Sequence, residues 1–241
     1  MYTARTMRKI AKFACSFIIG LVAAISLAGC GDGGNDDQTN LRFINAVANT
    51  DAVDMFVDGD MWFQDQGYLV ATDYFNFDTD QHLFQVTPSS SLTPISNLLT
   101  ALADDKDYTY IAVGSALDGD ALMLVDNNER AGSGSFKLRI INAIESSVSF
   151  NVYVVANASD IINVAPAATG VGYKTVTQYL SGRSGVYDIV ITSNTTSQVF
   201  GILPDQTFTE TDVYTLVLAQ SGSTVAPVYP LLLNDSDPSD D

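Results

Sequence analysis

The chain has 241 residues, of which 46% are hydrophobic and 16% are charged, and 28 Asp and Glu against 11 Lys and Arg give a formal charge of -17. This balance excludes a disordered chain and a coiled coil. The negative field opposes binding to phosphate backbones, so nucleic acid is excluded as a partner. The length accommodates one large domain or two of about 100 residues, each able to bury a core without a metal or a disulfide.

The first 29 residues have the three parts of a bacterial lipoprotein signal peptide. Residues 1–12 carry four basic side chains and no acid, residues 13–28 form a short apolar run, and the sequence LAGC follows at 27–30. This order predicts export, cleavage in front of Cys30 and lipidation of its thiol. The alternative is an uncleaved membrane anchor, but the apolar run is shorter than the ~20 residues that a bilayer requires.

Lipidation of Cys30 determines both the available chemistry and the location. Cys15 leaves with the signal peptide and Cys30 is blocked, so no thiol remains for a disulfide or for redox chemistry. Acyl chains contribute ~0.8 kcal/mol per buried CH₂, which makes the membrane a permanent partner through the lipid anchor. Gly31, rather than an acid, follows the cysteine and resembles the pattern of lipoproteins sent to the outer membrane. We therefore expect a lipid-anchored protein of the bacterial cell envelope, at the outer membrane.

Residues 30–40 are interpreted as a lipidated, flexible tether. No apolar side chain occurs between residues 31 and 40. A flexible segment of this length spans on the order of 17 Å, so the tether separates the folded part of the chain from the bilayer.

Beyond the tether, the sequence repeats itself. The sequence LRFINA at 41–46 recurs as LRIINA at 138–143, 97 residues later, and VDMFV at 53–57 recurs as FNVYV with the same separation. The separation then grows to 105 and finally to 108, as expected if the second copy has slightly longer loops. These matches predict two copies of one domain, at 41–129 and 137–235. A small, polar linker with freedom to bend (130–136) joins them, and an acidic tail (236–241) follows.

Each copy has the residue pattern of a β-sandwich. Large apolar residues alternate with other residues, as at His82, Phe84 and Val86, and turns rich in Gly, Asp, Asn and Ser separate the runs. The fold class is therefore all-β, with two tandem immunoglobulin-like antiparallel β-sandwiches. Tyr108 and Tyr214 each begin a late strand directly after an acidic loop, which is the position of a tyrosine corner.

The repeated LR-x-INA start, the strand that follows it and the later Tyr-Thr strand resemble the bacterial extracytoplasmic family called domain of unknown function 4397. The resemblance covers nearly all of residues 41–235. It implies tandem immunoglobulin-like domains in secreted or lipid-anchored proteins that act in surface or envelope interactions. It carries over no catalytic residues.

The sequence offers no set of residues for nucleophilic catalysis or for a transition metal. His82 is the only histidine, and its counterpart in the second copy is Tyr187, so a packing role explains a ring at this position better than catalysis does. One histidine without a free thiolate cannot form the usual zinc site. We therefore expect no enzyme, no catalytic residue, no metal and no cofactor. A hydrolase that uses two carboxylates is a distant alternative.

Calcium is the metal that the acidic turns could bind. Carboxylates cluster at residues 58–60, 76–80 and 118–120, and loops at the end of a sandwich can bring such oxygens together. Asp-Gly is also the preferred composition of a tight hairpin turn. A calcium-stabilised adhesive or structural stalk is therefore the alternative function.

Aromatic residues are concentrated between residues 61 and 77. Trp62 and Phe63 lie beside a predicted turn, where rings next to carboxylates and amides would suit an envelope protein or a glycan. The alternative is that both rings belong to the core. We therefore predict a non-enzymatic, lipid-anchored envelope protein whose β-sandwiches bind another surface molecule, with Trp62 and Phe63 as the candidate binding surface.

Overall fold

A computed structural model describes residues 38–221 and 227–236, which form sixteen β-strands and one short 3-10 helix. The first eight strands are β1 (Gln38–Asn45), β2 (Ala52–Val57), β3 (Asp60–Gly67), β4 (Phe75–Asp78), β5 (Asp80–Pro88), β6 (Ser96–Leu102), β7 (Asp107–Gly114) and β8 (Gly119–Asp126). The other eight are β9 (Ser135–Asn142), β10 (Phe150–Val155), β11 (Ala168–Val171), β12 (Leu180–Arg183), β13 (Gly185–Ser193), β14 (Val199–Phe208), β15 (Val213–Gln220) and β16 (Val228–Asn234), with the 3-10 helix at Ala158–Ile162.

The strands form two β-sandwiches with the same strand order. The first contains the sheets β4-β1-β7-β8 and β3-β2-β5-β6, and the second contains the sheets β12-β9-β15-β16 and β11-β10-β13-β14. Strands β1 and β7 run parallel, as do β9 and β15, whereas the other paired strands are antiparallel. The predicted all-β class with two tandem sandwiches is confirmed. The structure adds that each strand of the first sandwich has a counterpart eight strands later.

The predicted terminal segments mostly lie outside the described residues. These segments are the signal peptide, Cys30, the greater part of the tether and residues 237–241 of the tail. The tether ends earlier than predicted, because β1 begins at Gln38 and Thr39 is buried. Within 38–221 and 227–236, no helix has the length and apolar character needed to cross a bilayer.

The two copies differ in the connection between their second and third strands. Asp58 and Gly59 join β2 to β3 in a tight turn with φ angles of 52° and 89°, the conformation for which Asp-Gly is preferred. The corresponding connection in the second copy, residues 156–167, is longer and contains the 3-10 helix. This insertion accounts for the growth of the repeat separation from 97 to 105.

Both predicted tyrosine corners are confirmed. The Tyr108 hydroxyl accepts a hydrogen bond from the Ala103 N–H at 3.0 Å, and the Tyr214 hydroxyl accepts one from the Thr209 N–H at 3.0 Å. Each bond ties the start of a central strand to the loop before it.

Three apolar clusters hold the described residues together. One lies between the two sheets of each sandwich, and the third lies between the sandwiches. The third cluster joins the outer faces of the sheets that contain β1 and β9. Its buried members are Ile44, Ala46, Ile111, Val113, Ile141, Ala143 and Val217. Strands β1, β7, β9 and β15 are therefore buried on both faces.

A buried network of charges crosses the same interface. Arg42 Nη1 lies 2.7 Å from Asp235 Oδ1 in the other sandwich, and Arg139 Nη2 lies 2.8 Å from Asp126 Oδ1. All four side chains are at least 95% buried. The two pairs are equivalent, because Arg42 and Arg139 occupy matching positions of the LR-x-INA sequence. Each sandwich therefore supplies one arginine and one aspartate to the other.

Threonines and tyrosines complete the network. The Thr109 hydroxyl accepts from Arg42 Nε at 2.9 Å and donates to Asp126 Oδ2 at 2.6 Å. Its counterpart Thr215 bonds Arg139 and Asp235 in the same way. Tyrosine rings cover both guanidinium groups, with centroids at 4.9 Å and 5.2 Å; these rings are Tyr74 over Arg42 and Tyr179 over Arg139.

The strand register corrects the alignment of the two aspartates. Tyr108 pairs with Val125, whereas Tyr214 pairs with Asn234. Asp126 and Asp235 are therefore equivalent at a separation of 109, rather than the 108 that the sequence alone indicates.

The segment that joins the sandwiches is held by hydrogen bonds, although its composition predicts freedom to bend. The Ala131 N–H donates to the Thr211 carbonyl at 2.8 Å, and the Gly134 N–H donates to Glu210 Oε2 at 3.0 Å. Ala131 is itself buried. These contacts attach the segment to the second sandwich.

Breaking one buried pair is expected to destabilise the whole protein. Asp235→Ala leaves Arg42 buried without its carboxylate, which costs about 3–5 kcal/mol of unfolding free energy. The measurement is urea unfolding followed by circular dichroism. The control is Lys174→Ala, which removes an exposed ion pair with Asp120 across the two sandwiches and is expected to cost less than about 1 kcal/mol. Equal losses for the two variants would contradict this description of the interface.

Candidate binding surface

A bulge in strand β3 sets the direction of Trp62. Met61 pairs with Phe56 and Phe63 pairs with Met55, so Trp62 is an extra residue between two adjacent pairs. A bulge of this kind turns a side chain out of the regular alternation of a strand. Strand β3 is an edge strand, so the bulge places Trp62 at the side of the first sandwich.

Trp62 and Phe63 face different surroundings. Trp62 is 43% exposed, and its ring centroid lies 5.5 Å from that of Phe75 and 4.7 Å from that of Phe77. Phe63 stacks on Phe43 at 6.2 Å and packs against the core of the first sandwich. The structure thus places Trp62 at the surface, on a base of phenylalanines, and turns Phe63 inward.

Carboxylates border this aromatic surface. Asp60 lies in strand β3 and Asp78 in strand β4, and both are exposed. Asp58 lies in the turn before β3, where its Oδ2 is 2.7 Å from His82 Nδ1. Hydrogen bonds from His82 and from the Leu83 N–H lower the pKa of the Asp58 carboxyl.

His82 makes the packing contacts that the repeat predicts. Its ring lies edge-on to Phe77 at 4.8 Å and to Phe84 at 6.2 Å. The imidazole thus extends the row of rings that begins at Trp62. Its polar edge is engaged by Asp58, as described above.

The acidic turns do not converge on a common point. Among residues 38–221 and 227–236, no group of three or more His, Cys, Asp or Glu side chains is arranged to hold a metal ion. Asp58 bonds His82, and Asp120 pairs with Lys174 of the second sandwich. The Lys174 hydrogen bond lowers the pKa of the Asp120 carboxyl. These carboxylates therefore have partners within the chain.

The charged groups that sequence analysis missed are the four at the interface between the sandwiches. Arg42 and Arg139 belong to the repeated LR-x-INA sequence, and their only sequence signal is their recurrence inside an apolar strand. A polar cavity of about 380 Å³ lies beside Arg42, lined also by Tyr74 and Asp235. The interface thus uses these charges to join the sandwiches.

Residues 39–153 match the model of the family described as Domain of unknown function (DUF4397). This stretch of the chain is therefore similar to the DUF4397 family. The DUF4397 match covers the first sandwich and continues through β9 into β10, so it includes Arg42, Asp126 and Arg139 of the interface network. No match was found among curated proteins.

Three solved structures are similar to the chain at low sequence identity. The CBM26-family domain CBMbc of Eubacterium rectale Amy13K, in complex with maltoheptaose, is 8% identical with a TM-score of 0.27, and the match covers 84% of this chain and 99% of that one. A candidate adhesin from Bacteroides ovatus is 9% identical with a TM-score of 0.24, covering 83% and 94%. A candidate cell adhesion protein from Bacteroides fragilis is 8% identical with a TM-score of 0.21, covering 82% and 98%. With TM-scores below 0.5, these similarities assign no function to this chain.

The two aromatic residues are expected to differ in their effect on stability. Phe63→Ala removes a ring from the core and should cost about 3 kcal/mol of unfolding free energy. Trp62→Ala removes a ring that is already half exposed and should cost about 1 kcal/mol. Urea unfolding followed by circular dichroism measures both losses. Fluorescence is unsuitable, because Trp62 is the only tryptophan and its removal abolishes tryptophan fluorescence. A larger loss for Trp62→Ala would place this residue in the core.

Proposed function

We propose that this protein is a non-enzymatic, lipid-anchored protein of the bacterial cell envelope that binds another surface molecule through the Trp62 edge of its first sandwich. The observation that carries the proposal is the half-exposed Trp62 ring. The side chain is held by a bulge and by two phenylalanines beneath it.

The chemistry of this edge suits a glycan or an envelope protein. An indole fixed on one face and open on the other can stack on a flat apolar surface without losing much conformational entropy. Aromatic anchors of this kind supply a large share of the binding energy in protein interfaces. The exposed carboxylates of Asp60 and Asp78 provide hydrogen-bond acceptors beside the ring.

The signal peptide and Cys30 support the anchored location. The predicted lipidation keeps the protein on a bilayer, and the residue after Cys30 supports the outer membrane. The folded part begins at Gln38, which leaves a short tether between the lipid and the first strand.

The binding proposal is tested with the purified protein on arrays of envelope glycans and by pull-down from envelope extracts. We expect a saturable partner whose affinity falls at least tenfold for Trp62→Ala and is largely kept by Trp62→Tyr, because the second variant retains a ring. The control is Leu99→Ala, which removes an apolar side chain exposed to 60% on strand β6. Equal affinity for Trp62→Ala and the control would contradict the proposal.

The anchor is tested separately by Cys30→Ser. We expect the unchanged protein in the membrane fraction, with a mature terminus at a lipid-modified Cys30 in mass spectrometry. The variant should lose the lipid and leave the membrane fraction, because serine lacks the thiol to which the lipid is predicted to be attached. An unmodified, intact amino terminus in the unchanged protein would contradict the anchored location.

A further inference from the structure

The two sandwiches carry side chains of different size at equivalent positions along one edge. The strand registers define which positions are equivalent. Thr39 and Phe136 are equivalent residues of β1 and β9; Thr39 pairs with Phe77 and Phe136 pairs with Gly182, so Phe77 and Gly182 are equivalent. Three aromatic residues of the first sandwich have small counterparts in the second. The aromatic residues are Trp62, Phe63 and Phe77, and the counterparts are Ala167, Ala168 and Gly182.

The missing rings leave an open cleft in the second sandwich. The cleft has a volume of about 230 Å³ and lies beside β12. Its walls are mostly apolar, and they consist of Phe136, Leu138, Val154, Ala167, Leu180, Ser181, Gly182, Arg183 and Tyr187. The first sandwich fills the same place with its own side chains, so the space in the second sandwich has the size and the apolar character that suit an aromatic ring.

Phe136 forms the fixed base of this cleft. Its ring stacks on Phe208 at 4.2 Å and lies 6.3 Å from Tyr187. A Cβ atom at Gly182 would come within 2.5 Å of the Phe136 ring. The glycine therefore allows the ring to lie against the strand, where it presents an aromatic base to anything that enters.

The longer connection of the second sandwich borders the same cleft. Residues 156–167 end at Ala167 in the cleft wall. Two apolar residues of this connection are exposed, Ile162 at 85% and Val164 at 46%. An insertion that exposes apolar side chains next to an apolar cleft is typical of a contact surface.

The charge at the cleft distinguishes it from the rest of the protein. Arg183 lines the cleft, and no lining residue carries a carboxylate. Arg183 is exposed and forms no ion pair with any of the residues in 38–221 and 227–236. On a chain with a formal charge of -17, this lining is complementary to a partner with negative charge beside its apolar group.

We propose that the cleft of the second sandwich binds an extended, acidic segment of a partner protein and receives one aromatic side chain from it. The first sandwich shows the chemistry of such a segment, because its own acidic strand β3 carries the Trp62 ring at the matching place. Strand β12 lies at the edge of its sheet, so the main chain of the segment can pair beside it while the ring enters the cleft. Arg183 then attracts the carboxylates next to the ring.

The test uses the chain's own acidic aromatic segment as a synthetic probe. The probe is a labelled peptide with the sequence of residues 58–67, DGDMWFQDQG, and the measurement is fluorescence anisotropy against the purified protein. We expect saturable binding with a Kd on the order of 100 µM. A peptide with alanine in place of its tryptophan should bind at least tenfold more weakly, because the ring provides most of the contact.

Three protein variants locate the binding site. Ala167→Trp fills the cleft with the residue of the first sandwich and should weaken peptide binding at least tenfold. Arg183→Gln should weaken it about fivefold and reduce its dependence on salt. Trp62→Ala should bind the peptide as the unchanged protein does, which separates this site from the proposed Trp62 surface. Thermal melts verify that each variant is folded.

Three outcomes would overturn the proposal. One is the absence of saturable binding up to millimolar peptide. Another is binding that both Ala167→Trp and Arg183→Gln leave unchanged. The third is a concentration-dependent dimer in sedimentation velocity that Trp62→Ala and Ala167→Trp each abolish, which would make a second copy of this chain, rather than a separate partner, the occupant of the cleft.

Discussion

The structure depends on buried charges that each sandwich leaves for the other to neutralise. Arg42 and Arg139 lie inside apolar strands, and their carboxylate partners Asp235 and Asp126 come from the opposite sandwich. A buried charge without a partner costs several kcal/mol, so neither sandwich is well suited to exist alone. Apolar side chains on both sides of the charges exclude water from the interface. The two sandwiches are therefore parts of one folded unit, and the Trp62 edge and the cleft of the second sandwich have a fixed separation.

The duplication has kept the interface and changed the edges. The residues that form the network occur in both copies at equivalent positions, because each copy has to supply one arginine and one aspartate. The open sides of the sandwiches carry no such constraint. The first is filled by Trp62 and Phe77, whereas the second has Ala167 and Gly182 and an open cleft. A fixed frame with two different edges suits a protein that contacts more than one feature of a surface.

The sequence was sufficient to predict the fold class and its duplication. Alternating apolar residues identify half-buried strands, and the repeated LR-x-INA sequence identifies equivalent ones. The structure explains that sequence in part, since Asn45 and Asn142 each accept a hydrogen bond from the N–H two residues later, at 3.0 Å and 2.9 Å. The nearly continuous apolar runs of β7 and β15 also carried a signal for burial on both faces. They did not reveal which surface covers the second face.

The geometry of the candidate binding surface was only partly predictable for a related reason. The concentration of aromatic residues singled out this segment, but a regular alternation does not predict the bulge that sends Trp62 outward and Phe63 inward. The linker has a composition typical of flexible segments, yet its backbone is held by groups more than 70 residues away in the chain, such as Glu210. Such contacts depend on the tertiary structure and leave no local pattern in the sequence.

The central claim is that the buried interface makes the two sandwiches one rigid unit. Nitrogen-15 relaxation of the backbone amides tests it most directly, because domains that tumble separately have different rotational correlation times. The account predicts that amides of both sandwiches fit one diffusion tensor, with a correlation time typical of the whole folded chain. Two independent tensors with shorter correlation times, each typical of a single sandwich, would contradict it.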